Sequence, residues 1–537
     1  MGNHLRTDRT LPPLNRSQNE AKEAEEVAQS WEELQQALPT LNEGQKAVFD
    51  QVVGAVEDGL SSETVEPREA PHDRFAPENF DDDEQDFSRP RCFLLNAAGG
   101  TGKTYLIKAI QNCMKVRRRK HFAVATSAVA AKLLKKGTTA HSAFRIPVPC
   151  GPGDTCYISV DSELADLIRE AAIIIWDEIV MCHRHCIECV DRTLRDITEV
   201  EMPFGGKIVL FAGDFRQILP VVRGGSRAQI VNACMKSSPL YRNIKSVELT
   251  ENMRLEALRQ DPQASREALE FPNFLLKEGD GKVEMDAHGN IQLPPYIRKI
   301  FETANLCEHI YAEIEQKYND KEWLKNRTIL TTKNRTLKLI NDSVGSKFPG
   351  ELRTYLSADK VESDETGEDG PQYPVELLNS LTAGSALPDH ELCLKKGYPV
   401  MLLRNIDKGR GHVNGARYIV KDMKTNVVFL ESLTGDNAGQ MLALPKMPCG
   451  PGDSSFPIQG FTRTQFPIRV CFCITLNKAQ GQSFSGSVGL DLIDPVFTHG
   501  QLYVGLSRVT HPENLLICLP EKDQVITPNV VYPEVLQ

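Results

Sequence analysis

The chain has 537 residues, of which 41% are hydrophobic and 25% charged, and its net charge is −10. At about 150 residues per domain this length predicts three or four domain-sized units, and the composition excludes a mini-protein, a collagen, a coiled coil and a disordered chain. No apolar run approaches the roughly 18 to 20 residues of a membrane span, and the polar residues 1–16 lack the apolar core of a secretory signal. We predict an intracellular protein whose fourteen cysteines are mostly reduced core thiols.

The negative charge is concentrated in one stretch. Residues 61–90 contain ten acidic and three basic residues, a net charge of −7 that leaves −3 for the rest of the chain. Because the remainder is nearly neutral, a local basic groove for nucleic acid is compatible with the composition. The acid-rich stretch itself, which is rich in proline and poor in apolar residues, is predicted to be a flexible surface loop.

In chain order, the first predicted elements are a partly disordered leader, residues 1–37, with a solvated Glu-rich helix, and a second helix over Gly44–Val56. From Arg91 onward short apolar runs alternate with helical patterns, which predicts an α/β fold with parallel sheets and helices on both faces. Between about Leu392 and Arg463 short β-rich pieces with turn residues predict a small all-β insertion. Buried-strand patterns return after it.

The strongest local signal is the stretch Ala97–Thr104, with the sequence AAGGTGKT, between an apolar strand and a helical run. Glycines allow backbone N–H groups to wrap phosphates, the helix N-terminus adds its dipole, Lys103 reaches the terminal phosphates, and the Thr104 hydroxyl binds Mg²⁺. The usual first glycine is Ala97 here, which would be strained if that position needed a positive φ. The residues predicted to bind the nucleotide are Gly99, Gly100, Thr101, Gly102, Lys103 and Thr104.

A second signal is a buried strand, Ile173–Trp176, that ends in Asp177 and Glu178. Phosphoryl transfer depends on a positioned metal ion and a positioned nucleophile. Asp177 is therefore predicted to hold Mg²⁺ through water, and Glu178 to polarise the attacking water. The alternative, a solvated acidic turn, is disfavoured by the phosphate loop.

The next apolar strand is followed by Gly213–Pro220, whose polar side chains are expected at the same edge of the sheet. Gln217 is predicted to sense the γ-phosphate there. Arg254 and Arg508 lie far from the phosphate loop in sequence, and alone each is typical of a surface or ion-pair arginine.

In this order, the motifs resemble the petite-integration-frequency (Pif) DNA helicases of superfamily 1B, particularly their Helitron-like branch. The resemblance runs from about Leu41 to Leu519, nearly the whole chain. Further segments similar to family motifs are Leu41–Gln45 (the Q motif), Thr126–Ala131 and Thr138–Phe144 (DNA contacts), Gly397–Asp407 with Val413–Arg417 (an SH3-like insertion), Leu476–Ser483 (DNA coupling) and Tyr503–Arg508 (the second arginine finger).

The resemblance implies roles for single residues. Gln45 would contact adenine, Gln217 would act as the sensor, and Arg254 and Arg508 would be arginine fingers. The implied catalytic set is Lys103, Asp177, Glu178, Gln217, Arg254 and Arg508. The implied DNA contacts are Thr126, His141, Phe144, Lys478 and Ser483, and the implied metal-binding residues are Thr104 and Asp177.

The fold implied by the resemblance is two RecA-like P-loop domains with a small SH3-like all-β insertion in the second. The expected boundaries are 38–250 for the first domain, with a candidate strand-separating wedge at 145–170, 251–391 with 464–537 for the second, and 392–463 for the insertion.

The implied activity is that of an ATP-dependent DNA helicase that moves 5′ to 3′ on single-stranded DNA and unwinds tailed or forked duplexes. It would act in DNA repair, recombination, telomere maintenance or transposon-related processes, as a monomer without a membrane partner, in the nucleus or alternatively the mitochondrion. Two other readings stay open: a catalytically weak single-stranded-DNA-binding remnant of a Helitron transposase, and another P-loop machine such as an RNA helicase or an assembly ATPase.

Two further patterns invite functional readings that we disfavour. Cys182–Cys189 is dense in Cys and His, but it spans about two helical turns, whereas zinc sites usually draw ligands from two separated pieces. The basic run Lys115–Lys120 is predicted to be a solvated turn opposite the phosphate loop, with a DNA or targeting role as the weaker reading. Helitron transposases carry an endonuclease with a His-hydrophobic-His metal site. The single His-x-His pattern of this chain, His183 and His185, has Arg184 between its histidines and falls in a predicted helix, so the resemblance implies no nuclease activity here.

Overall fold

The structure is a computed structural model that describes residues 16–62, 90–361, 373–381, 387–407, 410–433, 438–451, 456–520 and 525–537. Residues 1–15 of the predicted leader and 63–89 of the predicted acidic loop lie outside the described residues. Within the described part of the chain, no helix is both long and apolar enough to span a bilayer. All fourteen cysteines lie in the described ranges and are unbridged, and all but Cys150 and Cys393 are buried, as the core-thiol prediction requires.

The first lobe, residues 16–249, is built on six strands and eight helices. The helices are α1 (Arg16–Ala37), α2 (Glu43–Ser62), α3 (Lys103–Val116), α4 (Ala128–Ala131), α5 (Ala140–Ala143), α6 (Glu163–Glu170), α7 (Arg184–Thr198) and α8 (Arg227–Ala233), and the strands are β1 (Cys92–Ala97), β2 (His121–Ala125), β3 (Thr138–Thr139), β4 (Ile173–Asp177), β5 (Ile208–Gly213) and β6 (Ile244–Leu249).

All six strands form one parallel sheet in the order β3-β2-β4-β5-β1-β6. Strand β4 shows why it is covered on both faces, because Ile173 and Ile175 belong to one apolar core and Ile174 and Trp176 to another. A parallel strand buried on both faces reads as a continuous apolar run, which is the pattern that predicted it. The carboxyl ends of β1, β4 and β5 are adjacent and carry the candidate site.

The helix α1 differs from the prediction of a solvated leader. Leu34 and Ala37 are buried in the first-lobe core, and the Glu33 carboxylate accepts hydrogen bonds from Lys135 Nζ (2.6 Å) and Asn112 Nδ2 (3.1 Å). The Glu-rich composition hid this contact because only one narrow stripe of the helix is apolar. The helix is therefore docked on the lobe.

The remaining elements follow in chain order. They are α9 (Met253–Gln260), α10 (Arg266–Gly279), β7 (Asn290–Gln292), β8 (Arg298–Ile300), α11 (Thr303–Ile310), α12 (Ile314–Lys317), α13 (Lys321–Lys325), β9 (Thr328–Thr331), α14 (Asn334–Lys347), β10 (Arg353–Leu356), β11 (Ala358–Val361), α15 (Val375–Ser380), β12 (Glu391–Leu394), β13 (Pro399–Leu402), β14 (Arg417–Met423), β15 (Val427–Ser432), β16 (Met441–Pro445), β17 (Met447–Cys449), β18 (Phe461–Gln465), β19 (Ile468–Val470), β20 (Cys473–Thr475), α16 (Leu476–Ala479), β21 (Val488–Asp491), α17 (Gln501–Leu506), β22 (Leu515–Cys518), β23 (Ile526–Pro528) and α18 (Pro533–Leu536).

The second lobe, residues 253–347 and 473–537, contains a second parallel sheet in the order β20-β9-β21-β22-β8. Its strands come from both sides of a long intervening segment, since β9 precedes that segment and β20 follows it. The α/β class with two parallel sheets, predicted from the alternating pattern, is confirmed.

The intervening β unit, residues 353–470, is antiparallel. Its main sheet has the order β16-β15-β14-β13-β19, and two smaller sheets pair β11 with β18 and β17, and β10 with β12. The strands therefore extend beyond the predicted boundaries of 392–463. The reason is long-range pairing: β11 is joined to β18 through a buried ion pair between Asp359 and Arg463 (2.6 Å), which no local pattern reveals.

Candidate functional site

The phosphate loop joins β1 to α3. Gly100 and Gly102 adopt left-handed φ values of 92° and 83°, which favour glycine. Ala97 is the buried last residue of β1 and does not have a positive φ. The departure from glycine at this position is therefore accommodated without backbone strain, because the strand, and not the turn, contains it.

Lys103 is the first residue of α3, and its ammonium group meets the two acids at the end of β4. Its Nζ lies 2.6 Å from Asp177 Oδ1 and 3.3 Å from Glu178 Oε1. Glu178 has a left-handed φ of 51°, and its N–H donates to Asp177 Oδ1 at 2.8 Å. The structure thus brings together the three residues predicted to form the centre of the site.

Burial controls the charges of this trio. Burial by itself would lower the pKa of Lys103, but Asp177 and Glu178 raise it above its ordinary value, so the lysine is charged. Burial raises the pKa of Glu178, which Lys103 partly offsets. The Glu178 Oε2 atom is buried without a hydrogen-bond partner among the described residues. It is therefore available to a water or a ligand.

The loop after β5 supplies two more buried polar residues. Asp214 is 0% exposed and Gln217 is 7% exposed. The Gln217 Oε1 atom has no hydrogen-bond partner in the described part of the chain. Because β5 lies between β4 and β1, this loop stands at the same sheet edge as Lys103 and Asp177, as expected for the Gln217 position.

Tyr503, on α17 of the second lobe, was not singled out as a site residue, yet it joins the lobes. Its hydroxyl donates to Asp214 Oδ2 at 2.8 Å and accepts the Gly99 N–H of the phosphate loop at 3.3 Å. Burial, together with Asp214, raises the pKa of Tyr503 well above its ordinary value, so the hydroxyl keeps its proton. The available signal was its place in the segment Tyr503–Arg508.

Neighbours of Tyr503 pack on the same loop. His499 Nε2 lies 2.7 Å from the Phe215 carbonyl oxygen. Gly500 has a φ of 71°, and a Cβ there would overlap the Arg216 carbonyl and lie 2.6 Å from the Gln217 carbonyl carbon. Arg216 Nε in turn donates to Asp280 at 2.6 Å. The loop after β5 is thus held by the second lobe along its whole length.

Arg254 lies at the phosphate loop. It is exposed, and a Cβ at Gly100 would be 3.1 Å from its Cδ. The helix α9 that carries it is anchored by the Met253 N–H, which donates to the Gly100 carbonyl at 2.9 Å, and is capped by Asn252. Within the described part of the chain the Arg254 guanidinium has no ion-pair partner and lies beside the nucleotide-binding loop, which suits the predicted arginine finger.

Arg508 is 6% exposed, and its guanidinium is held within its own lobe. It donates to the carbonyl oxygens of Val504 (2.8 Å), Gln482 (2.7 Å) and Ala479 (3.2 Å). It is close enough to Glu178 for that charge to raise its pKa against the larger lowering effect of burial. Action as a finger would require these carbonyl contacts to be exchanged.

The Q-motif glutamine has a different contact from the one predicted. Gln45 is 1% exposed, its Nε2 donates to the Thr101 carbonyl at 2.9 Å, and its Oε1 accepts the Asn42 N–H at 3.1 Å. A Cβ at Gly102 would overlap Gln45 Nε2. In this arrangement Gln45 braces the phosphate loop and presents no exposed face to adenine.

The DNA contacts predicted in the first lobe divide into two groups. Thr126 and His141 are half-buried, and Thr126 Oγ1 accepts the Trp176 indole N–H at 3.1 Å. Phe144 is 1% exposed, and its ring packs 5.7 Å from Trp176. The ring of Phe144 thus has no exposed face in this structure, because apolar burial has taken it into the core, and its role as a DNA contact stays a prediction.

The second-lobe contacts remain accessible. Ser483 is exposed, and Lys478 is half-buried with its Nζ 3.4 Å from Asn414 Oδ1 of the β unit. Burial, and then Arg469, lower the pKa of Lys478. A Cβ at Gly415 would be 3.1 Å from Val129 of the first lobe. The β unit thus touches the motif at 126–131 and the motif at 476–483.

The cysteine-rich segment is a helix start, and a second chain piece lies beside it. Cys156 Sγ is 3.6 Å from Cys189 Sγ, and Cys186 Sγ is 3.8 Å from His141 Nε2. The argument from a single segment was incomplete, because the loop before α6 supplies further thiols. Nevertheless, no three His, Cys, Asp or Glu side chains of the described residues are arranged to hold a metal ion.

Two family models match the sequence. The family described as "PIF1-like helicase" matches residues 83–289, and "DNA helicase Pif1, 2B domain" matches residues 376–423. The chain is similar to the ATP-dependent DNA helicases PIF1 of Danio rerio, with 27% identity, and Pif1 of Psychrobacter, with 25%. The alignments cover 81% and 79% of this chain but 61% and 65% of those proteins, so the chain spans less than two thirds of their length.

Solved structures share the fold. A Bacteroides Pif1 bound to single-stranded DNA aligns with a TM-score of 0.58 at 22% identity, covering 84% of this chain and 95% of that one. The Pif1 helicase from Candida albicans aligns with a TM-score of 0.56 at 18% identity, covering 92% and 98%. The chain therefore shares the overall fold of these structures.

Proposed function

The chain belongs to the Pif1 family of helicases, and on that premise we propose that it is an ATP-dependent DNA helicase moving 5′ to 3′ on single-stranded DNA. One observation carries the proposal: Lys103, Asp177 and Glu178 meet at the edge of the first sheet, and Tyr503 of the second lobe bonds the same phosphate loop. Because of this contact, a change in the phosphate loop on nucleotide binding would change the position of the second lobe.

The residues act in a definite order when ATP enters. Lys103 leaves its two acids for the β- and γ-phosphates, which removes the cation that neutralises Glu178. The Glu178 carboxylate, whose Oε2 has no hydrogen-bond partner among the described residues, is then free to accept the proton of the attacking water. Gln217, with its unpartnered Oε1, helps to position that water.

Mg²⁺ fits the donor set, since the Thr104 hydroxyl and the Asp177 carboxylate are hard oxygen ligands and would hold the ion. When bound, Mg²⁺ neutralises phosphate charge. Arg254, whose stem lies over Gly100, adds a second positive charge at the loop. Arg508 adds a third when closure of the lobes exchanges its carbonyl contacts.

ATP hydrolysis is coupled to movement of the single-stranded DNA through residues that contact both the ATP site and the DNA. Thr126 is hydrogen-bonded to the end of β4 through both its backbone and its side chain. Its N–H donates to the Asp177 carbonyl at 3.0 Å, and its hydroxyl accepts from the Trp176 indole N–H. Lys478 and Ser483 face the strand from the second lobe. Single-strand binding needs such polar contacts with little base reading, so alternate opening and closing of the lobes would move the strand.

The test is steady-state ATPase activity with and without single-stranded DNA. We expect strong stimulation by DNA in the wild type, and loss of at least about 100-fold in Lys103→Ala, since phosphate stabilisation of this kind contributes several kcal/mol. Lys108→Ala is the matched control, because Lys108 is an exposed residue on the same helix. Stimulation by RNA in place of DNA would indicate an RNA helicase, and DNA binding with ATPase at the Lys103→Ala level would indicate the catalytically weak remnant.

The proposed partners are single-stranded DNA and tailed or forked duplexes, and the proposed setting is DNA repair, recombination, telomere maintenance or transposon-related processes. We place the protein with its DNA inside the cell, in the nucleus with the mitochondrion as the alternative. Microscopy of the tagged full chain tests that location.

A further inference from the structure

The N-terminal edge of the first-lobe sheet carries a basic surface that the proposed function does not use. Two adjoining cavities of about 340 and 670 Å³ open there, and they share Arg118, Arg119 and Lys120. Together they are lined by nine basic and three acidic side chains, a net charge of +6 on a chain whose total charge is −10. We define the basic edge as the combined lining of the two cavities.

The basic edge is separate from the ATP site. It includes Arg91, Lys120 and Lys207, which directly precede β1, β2 and β5, whereas the phosphate loop and Asp177 follow the other ends of β1 and β4. A strand of five residues spans about 16 Å. Substitutions at the basic edge can therefore be made without touching Lys103 or the predicted single-strand contacts.

Its central turn has an unusual backbone. The helix α3 ends in a Schellman arrangement, in which the Arg118 N–H donates to the Lys115 carbonyl and the Arg119 N–H to the Met114 carbonyl. Arg118 occupies the left-handed position with a φ of 54°, where glycine is the usual residue. An arginine at this position has a backbone cost that glycine would avoid, and such strain is typical of functional positions.

The two central arginines are available. Arg118 and Arg119 are exposed, and neither forms an ion pair with any described residue. The other bases of the basic edge are largely paired: Lys120 with Glu170, Lys115 and Lys136 with Glu26, Lys135 with Glu33, and Arg169 with Asp166. A basic residue at a helix C-terminus also complements the helix dipole, but that effect does not require the left-handed arginine.

We propose that the basic edge is a second nucleic-acid site that binds the phosphate backbone of duplex DNA. Backbone neutralisation needs clustered Arg and Lys side chains, which are present. Single-strand sites also need aromatic faces for stacking, and Phe122, the Phe of the lining, has its ring 5.2 Å from buried Phe144. The two rings of the lining, Phe122 and His121, are half-buried, whereas Arg118 and Arg119 at its centre are exposed. A surface whose exposed centre is cationic suits a duplex, whose bases are stacked inside. The proposal rests on the proposed function for its choice of DNA.

The test measures binding of a labelled blunt 20-base-pair duplex and of a short oligo(dT) by anisotropy at several salt concentrations. For Arg118→Glu/Arg119→Glu we expect duplex affinity to fall on the order of tenfold, and the slope of log K against log salt to decrease by about two. Affinity for oligo(dT) and DNA-stimulated ATPase should stay within about twofold. The matched control is Lys317→Glu/Lys347→Glu, with the same charge change on exposed second-lobe helices.

Arg118→Gly separates a DNA role from a capping role. Glycine suits the left-handed φ, so melting temperature should be unchanged or higher while duplex affinity falls. Unchanged duplex affinity in both variants would overturn the proposal, as would parallel loss of duplex binding and oligo(dT)-stimulated ATPase, because the surface would then not be separate. If the wild type has no DNA-stimulated ATPase, the proposed function fails, and the duplex measurement still decides on the basic edge.

Discussion

Tyr503 shows how much a single residue contributes to the junction of the lobes. Its one hydroxyl satisfies the fully buried Asp214 and a backbone N–H of the phosphate loop. A buried carboxylate that loses a donor bears a desolvation cost of about 1–3 kcal/mol. The Tyr503 hydroxyl therefore contributes both to the free energy of unfolding and to the position of the phosphate loop.

Tyr503→Phe should lower the free energy of unfolding by about 1–3 kcal/mol and lower DNA-stimulated ATPase. Tyr418→Phe is the control, because its hydroxyl is also buried, 3.0 Å from His412 Nδ1, but lies in the β unit. Urea unfolding and ATPase assays on both variants are the measurements. Equal ATPase loss in the two variants would contradict a specific role of Tyr503.

Glu278 is a second residue-scale feature. Its side chain is fully buried, neither carboxyl oxygen has a hydrogen-bond partner among the described residues, and burial raises its pKa well above the ordinary value. The folded state thus binds a proton that the unfolded state releases near pH 4.3. Stability contributed by the protonated form is present at low pH and is lost as pH rises toward the folded-state pKa.

Glu278→Gln should remove this dependence, because the amide imitates the protonated acid. The melting temperature of the wild type should fall relative to that of the variant between pH 5 and pH 8. Thermal melts across this range measure the difference. Parallel curves for the two proteins would show that the pKa of Glu278 is not raised in the folded state, because both states would then bind the same number of protons.

At the scale of elements, α17 docks on the loop after β5 through a glycine. Gly500 adopts a φ of 71° and leaves no room for a Cβ next to the Arg216 carbonyl. Both properties require glycine, and the second depends on a partner that lies more than 280 residues away in the chain.

Gly500→Ala should be destabilising by about 1–2 kcal/mol for the left-handed backbone and by a further ~1–3 kcal/mol for the clash, with ATPase lost. Gly439→Ala isolates the backbone effect, because Gly439 has a φ of 85° and nothing within 4 Å of its would-be Cβ. The difference in unfolding free energy between the two variants measures the docking contact. No difference would mean that α17 can move away from the loop at little cost.

At the scale of the whole molecule, the site is composite. The phosphate loop and both acids belong to the first lobe, while Arg254, Tyr503 and Arg508 belong to the second. A ligand bound between these groups should slow amide hydrogen exchange in both lobes, whereas a ligand that binds the phosphate loop alone should slow it in the first lobe only.

A non-hydrolysable ATP analogue with Mg²⁺ at 100 times its Kd should stabilise the wild type by about 2.7 kcal/mol. Hydrogen exchange should slow in residues 97–104 and in residues 500–508. Chelation of the metal, or Lys103→Ala, should remove most of the effect. Protection confined to 97–104 would show that nucleotide does not engage the second lobe.

The sequence predicted the α/β class, the phosphate loop and the acidic strand end because these depend on short-range periodicity and spacing. It did not reveal that the Phe144 ring is buried or that α1 is docked on the first lobe, because burial of a ring or of a narrow apolar stripe depends on what packs against it. The boundaries of the β unit were too narrow for a similar reason, since β11 and β19 are short strands whose partners are distant.

By itself, the sequence determined which chemical groups are present and which of them are neighbours in the chain: glycines before Lys103, and two acids after an apolar strand. Only the tertiary structure decided that Tyr503 reaches Gly99 and Asp214, that Gln45 braces Thr101, and that separate strand starts form one basic edge. The physical reason is that local pattern fixes backbone periodicity, whereas hydrogen bonds and charge clusters between distant segments depend on how the sheets stack and close.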